Sequence, residues 1–244
     1  MRIQSIETDA PRVTLTRGDR ETVGKVLALF GPRVELEKLG RYEQFSDDEW
    51  WRLFVGQFAV MGGSRGWERA CNVPEFRKAI ALDRCLAAPS LADHLAAALR
   101  DHGATRFWQK TAEKLGVLAQ DPRVVRGGRL VLCEGLRHGT PANELRTALL
   151  SRCQRFKLKS ASDFLIGVGL SHDLIAFDVR VVGALRDGFG LEVKAGQVQG
   201  NRPLYLALEA ALREACAEAG HPLALLDRVF YKFRGTPELK AATG

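Results

Sequence analysis

Residues 156–180 read FKLKSASDFLIGVGLSHDLIAFDVR. Ala161, Phe164, Leu165 and Val168 recur at helical spacing, and Gly169 follows where a helix would stop. After Ser171-His172-Asp173, in which Ser171 or Asp173 is suited to cap a new helix, residues 174–190 resume with Ile175, Val179, Val182 and Leu185 on one side. The pattern predicts two short buried helices, each carrying a charge that packing does not explain. Asp178 stands between Phe177 and Val179, in the most apolar part of the second helix. A carboxylate there is either paired, for instance with Arg180 or Arg186, or used, because desolvating it alone is costly. Lys159 opens the first helix, where the macrodipole favours anions over cations.

The approach to that first helix is itself basic: Arg152, Arg155, Lys157 and Lys159 fall within eight residues. Free backbone N–H groups and cationic side chains at a helix start together suit a phosphate. The whole chain leans the same way, with 36 Lys and Arg against 29 Asp and Glu, a formal charge of +7 and a pI near 9.4. A basic face is therefore available to a polyanion.

Outward from this stretch, helical periodicity dominates from about Glu21 onward, in TVGKVLALF, DDEWWRLFVGQFAV, SLADHLAAALRDH, RFWQKTAEKLGVLA and LYLALEAALREACAEAG. Ser46, Ser90 and Thr140-Pro141 read as helix starts, and Gly62-Gly63, Gly103 and Gly220 as stops. Only VTLT, residues 13–16, alternates like a strand, and it is too short to define a sheet alone. Trp50, Trp51 and Trp67 read as core residues. The expected architecture is all-α, in two helical lobes with a cleft between them.

The 244 residues, 46% of them hydrophobic, suffice for a substantial core. Apolar runs are broken by charge or glycine well short of the roughly 20 residues of a membrane span, and the start MRIQSIETDAPR lacks the pattern of a secretory signal. Five scattered cysteines, without CxxC spacing, read as reduced and mostly buried thiols of a cytoplasmic protein. The five histidines are dispersed, so neither they nor the cysteines suggest a metal site.

The segment RFKLKSASDFLIGVGL…DLIAFDVRV resembles the helix-hairpin-helix and catalytic aspartate of the DNA glycosylases that remove 8-oxoguanine. In the bifunctional members a lysine ends the hairpin, an alanine follows two positions on, and the aspartate lies nineteen positions after the lysine. Lys159-Ser160-Ala161 and Asp178 match this pattern and spacing. The segment GQFAVMGGSRGWER, with Gln57, is similar to the place where an early helix helps hold the damaged strand or base. LALLDRVFYKFRGTPE is similar to the final aromatic-rich helix of the compact, archaeal-like members, with Tyr231 and its neighbour Phe230 as the matching base-pocket aromatics. The resemblance runs from about Phe45 to Pro237, giving a helical domain over residues 45–244 with the hairpin near 148–170 and leaving residues 1–44 without an assignment.

The resemblance implies Lys159 as nucleophile, Asp178 as its catalytic carboxylate, and Arg155, Lys157 and Ser160 as DNA contacts. The implied partner is duplex DNA containing a damaged base, bound by a monomer, and the chemistry requires no cofactor. A lysine amine with an ordinary pKa near 10.4 is almost fully protonated at neutral pH. Burial, together with Arg155 and Lys157, is expected to lower the pKa of Lys159, while Asp178 pulls the other way. One departure is plain: Arg155 and Lys157 stand where the family's hairpin has two glycines. Either side chains replace backbone contacts or the hairpin is reshaped, and Lys157 stands as a rival nucleophile. A non-catalytic DNA-binding protein on the same scaffold, and a glycosylase for another damaged purine, are the alternative readings.

Overall fold

The computed structural model describes residues 1–4, 11–60 and 64–243; the stop expected at Gly62-Gly63 lies outside them. The chain begins with strands β1 (Arg2–Gln4) and β2 (Arg12–Thr14) and helix α1 (Arg17–Phe30). There follow α2 (Asp47–Ala59), α3 (Arg65–Asn72), α4 (Pro74–Ala79), α5 (Leu82–Ala87), α6 (Leu91–Asp101) and α7 (Trp108–Ala119). A two-residue hairpin of β3 (Val125–Arg126) and β4 (Arg129–Leu130) leads to α8 (Ala142–Arg152) and α9 (Leu158–Gly167). The chain closes with α10 (Val179–Phe189), α11 (Ala195–Gly200), α12 (Arg202–Glu218), α13 (Leu223–Phe233) and α14 (Pro237–Thr243). The protein is mainly helical, as its periodicity predicts.

The chain divides into two compact units. Unit 1 holds residues Met1–Leu39, Pro141–Arg146 and Lys157–Gly244; unit 2 holds Gly40–Thr140 and Thr147–Phe156. Residues 1–39, which carry no assignment in sequence, are thus part of unit 1. There VTLT contributes to a sheet after all, because Arg12–Thr14 pairs antiparallel with Arg2–Gln4. The polar partner RIQ gives no strand signal of its own.

In unit 1, α1 packs on α12, α13 and α14, and α10 packs on α13 and α14. Val23, Val26, Leu27, Leu204, Leu208, Leu212, Leu226 and Phe230 are completely shielded in its core, each large side chain contributing roughly 1.5–3 kcal/mol by leaving water. Near the start of α8, Arg146 is buried and forms a two-pronged pair with Glu209 of α12, at 2.7 and 2.9 Å, while also donating to Ser162 of α9 at 3.0 Å. These bonds set the beginning of α8 against α9 and α12.

In unit 2, α2 packs on α3, α5 and α7. Its start follows from a capping box, in which Ser46 accepts from the Glu49 amide and the Glu49 carboxylate accepts from Ser46 N–H. Trp51 is fully buried and donates to the Ile80 carbonyl at 2.9 Å. Trp50 and Trp67 are only half-buried, a correction to their reading as core; Trp50 packs edge-on to Phe45 at the start of α2.

Candidate active site

The turn between α8 and α9 closes with the Phe156 N–H donating to Cys153 O at 3.0 Å. Lys157 caps α9, and the Ser160 hydroxyl accepts from the Lys157 N–H at 2.9 Å while donating to the Lys157 carbonyl at 3.1 Å. Lys157 has φ −120° and ψ 173°, extended backbone open to any residue. No glycine is needed there, so one of the two departures from the hairpin pattern costs no strain. Arg155 and Lys157 are both exposed, and their side chains occupy space that glycines would leave to the backbone.

Lys159, one position into α9, turns its amine along the helix to Asp163, where Nζ donates to Oδ2 at 2.9 Å. A lysine preceding its acidic partner by four residues is the less favourable order against the helix dipole, so helix stability alone is a poor reason for the pair. The other oxygen of Asp163 accepts from Arg228 of α13 at 2.8 Å. Arg228 reaches in turn to its neighbour Asp227, at 3.1 Å. Asp227 is 1% exposed, against 17% for Asp163, 23% for Lys159 and 24% for Arg228, so the cluster passes from a partly open end at the lysine to a closed end at Asp227.

The second predicted helix begins later than its apolar spacing suggests. Residues 174–177 are not helical, and α10 starts at Val179. Three helices bind the backbone of this segment: Tyr205 of α12 donates to the Ile175 carbonyl, Asp227 of α13 accepts from the Ala176 N–H at 2.7 Å, and Gln199 of α11 donates to the Phe177 carbonyl at 2.8 Å. These side chains take the places of intrahelical partners, which is why the helix cannot extend back. Asp178, rather than Ser171 or Asp173, is the cap, accepting from the Arg180 and Val181 amides at 2.8 Å each. Val179, expected on the buried side, is 66% exposed. Neither arginine considered as a partner pairs with Asp178: Arg186 bonds Asp187, and Arg180 lies over the Tyr231 ring.

The electrostatics of the cluster reverse one expectation. Burial does press the Lys159 pKa down, but the charge and hydrogen bond of Asp163 outweigh it, helped by the charges of Asp178 and Asp227, and the net shift is upward. The amine is an ammonium at rest. Burial would raise the pKa of Asp163, yet Lys159 and Arg228 hold it well below the usual carboxylate range. Asp227 behaves oppositely. Burial, reinforced by the charges of Asp163 and Asp178, pushes it up to about 7 against the pull of Arg228 and the Ala176 N–H.

Lys159 thus sits in a charged cluster of unit 1 with Asp163, Arg228 and Asp227, and the charge of Asp178 adds to the rise of its pKa without a hydrogen bond between the two. Of the two aromatics singled out in α13, Phe230 is fully buried and packs edge-on to Phe189, which leaves it as a core residue; Tyr231 is half-buried. Gln57 lies in α2 of unit 2 and is buried. Asp163, Arg228 and Asp227 are members of the cluster that the motif does not single out. The signal for Asp163 is its i, i+4 spacing from Lys159, and for the other two an adjacent charge pair inside the apolar run LALLDRVF.

No protein-family profile and no curated protein sequence matches the chain. Its fold does match a solved structure. That structure is the Methanocaldococcus jannaschii 8-oxoguanine glycosylase/lyase in complex with a 15mer DNA containing 8-oxoguanine, with a TM-score of 0.59 and 20% identity over 88% of this chain and 90% of that one. The chain therefore shares the mainly helical fold of that glycosylase/lyase.

Proposed function

We propose that the protein is a bifunctional DNA glycosylase and AP lyase that excises an oxidised purine, 8-oxoguanine in the first instance, from duplex DNA. The observation that supports this reading is the partly open Lys159 amine at the start of α9, paired with Asp163, with Asp178 as the cap of α10 contributing its charge to the same amine. A half-exposed Tyr231 on the same unit, and exposed Arg155 and Lys157 before Lys159, supply an aromatic face for a base and cations for phosphates. Gln57, from unit 2, is proposed as a further contact to the damaged strand or base.

In this mechanism the target nucleotide leaves the base stack, at a cost of a few kcal/mol. The Lys159 ammonium releases a proton to solvent and parts from Asp163. The free amine attacks C1′ of the sugar; the C1′–N bond breaks, and its electron pair leaves with the base, which takes up a proton. Asp178 stabilises positive charge developing on the sugar and assists the proton transfers. Opening of the sugar ring gives a protonated Schiff base on Lys159. Loss of a proton from C2′ then expels the 3′ phosphate and nicks the strand.

The ammonium held at rest also favours a second reading, in which the scaffold binds DNA without catalysis. Borohydride trapping on a duplex containing 8-oxoguanine separates the two. A covalent adduct is expected with wild type and with Lys157→Gln, and none with Lys159→Gln. Absence of an adduct from the wild type, on this and other damaged purines, would leave the non-catalytic reading standing.

A further inference from the structure

Arg180, two residues beyond the Asp178 cap, sets its guanidinium over the Tyr231 ring, 4.2 Å from the centroid. The pair forms part of the wall of an open depression of about 570 Å³ in unit 1, completed by Lys232, Arg234, Lys240 and Asp187 among others. Four cations therefore face one carboxylate, and that carboxylate is already engaged, by Arg186 at 2.8 Å and more loosely by Arg234 at 4.0 Å. Among the described residues, Arg180, Lys232 and Lys240 have no carboxylate partner. Lys232 is fixed by donating to the Arg33 carbonyl at 2.7 Å, an interaction that leaves its charge uncompensated.

Arg234 has a seat made for it. Its guanidinium lies across α10 at Gly183, where an added Cβ would come within 2.3 Å of Cζ. Glycine in a helix interior is less favourable than alanine, and here its missing side chain is the space the arginine occupies. The group is thus laid against the helix that Asp178 caps and kept beside Arg180 and Lys240 around one depression.

We propose that this depression seats the phosphodiester backbone of the DNA strand on one flank of the nucleotide that reaches Asp178. The inference rests on the proposed function. Guanidinium and ammonium groups that outnumber the one carboxylate among them, arranged around an open hollow larger than a single phosphate, suit a polyanion that passes through rather than a small enclosed anion. Arg180 connects the seat to the cap of the same helix, so a strand held there runs past Asp178.

The test is ethylation interference and equilibrium binding on a duplex with a tetrahydrofuran abasic analogue, comparing wild type, Arg234→Gln/Lys240→Gln and Gly183→Ala. Interference at one or two phosphates flanking the analogue is expected in the wild type and absent from the double variant. Two lost phosphate contacts flatten the slope of log K against log salt by about 1.8, so between roughly 50 and 200 mM salt the wild type loses about tenfold more affinity than the double variant. Gly183→Ala keeps every charge and only displaces Arg234, and it is expected to lose part of the same interference. Unchanged interference and slope in the double variant would overturn the seat while leaving the proposed function intact. Failure of the wild type to bind the duplex at all would overturn both.

Discussion

Lys159 is paired to Asp163, one turn along its own helix at 2.9 Å, whereas Asp178 acts on it through charge without a hydrogen bond. The residue that governs the protonation of the proposed nucleophile is therefore not the residue proposed to assist its chemistry. Asp163→Asn removes the charge that holds the ammonium and leaves Arg228 with Asp227 as a partner. The Lys159 pKa should fall, and the acid limb of the pH profile for borohydride trapping should move to lower pH. An unmoved limb would mean that the amine takes its proton affinity from another group.

Asp227 should make stability depend on pH in an unusual sense. Its folded-state pKa, about 7, lies above the ordinary 3.8, so between those values the native state binds more protons than the unfolded one and stability falls as pH rises. Across that whole window the loss amounts to at most about 4 kcal/mol. Asp227→Asn keeps an oxygen for the Ala176 N–H but cannot ionise. Urea unfolding at pH 5 and pH 7.5 should show the variant gaining on the wild type at the higher pH; a constant difference between them would show that Asp227 titrates normally.

Many of the helices were legible because their burial is periodic and their ends are local signals, as at Ser46 and Ser90 in unit 2 and Gly169 in unit 1. The segment 174–177 was not. Its apolar residues fit a helix equally well, and the choice is made by Tyr205, Asp227 and Gln199, which come from 22 to 51 residues away. Lys159 and Asp178 stood out as charges in apolar surroundings, and Asp163 could have been found by its spacing. The partnership of Asp163 with Arg228, 65 residues distant, could not. The upward direction of the Lys159 shift comes mainly from Asp163, which its spacing could have shown; only the share of Asp227 is supplied by a helix distant in sequence.

The buried pair of Arg146 and Glu209 should be costly to break from one side. Both are almost fully shielded, and truncating Arg146 to alanine strands the Glu209 carboxylate with only Arg213, at 3.2 Å, as a cationic partner. A loss of about 3–5 kcal/mol is expected in denaturant unfolding. The double change Arg146→Met/Glu209→Leu removes both charges and should recover much of that loss. A double variant as unstable as the single one would assign the cost to packing and to the bonds that Arg146 donates to Ser162, at 3.0 Å, and to Asn143, at 2.6 Å.

The capping of α10 by Asp178 can be separated from the catalytic role proposed for its carboxylate. Asparagine caps a helix about as well as aspartate, whereas alanine forfeits about 1 kcal/mol. Asp178→Asn should therefore leave the thermal midpoint near that of the wild type, and Asp178→Ala should lower it. Excision, if Asp178 acts through its charge, should fall in both by about a hundredfold or more under single-turnover conditions. The Asn variant decides the matter: with the cap kept and the charge gone, a wild-type excision rate would make Asp178 a structural cap alone, and a rate as low as that of the Ala variant would tie the chemistry to the carboxylate.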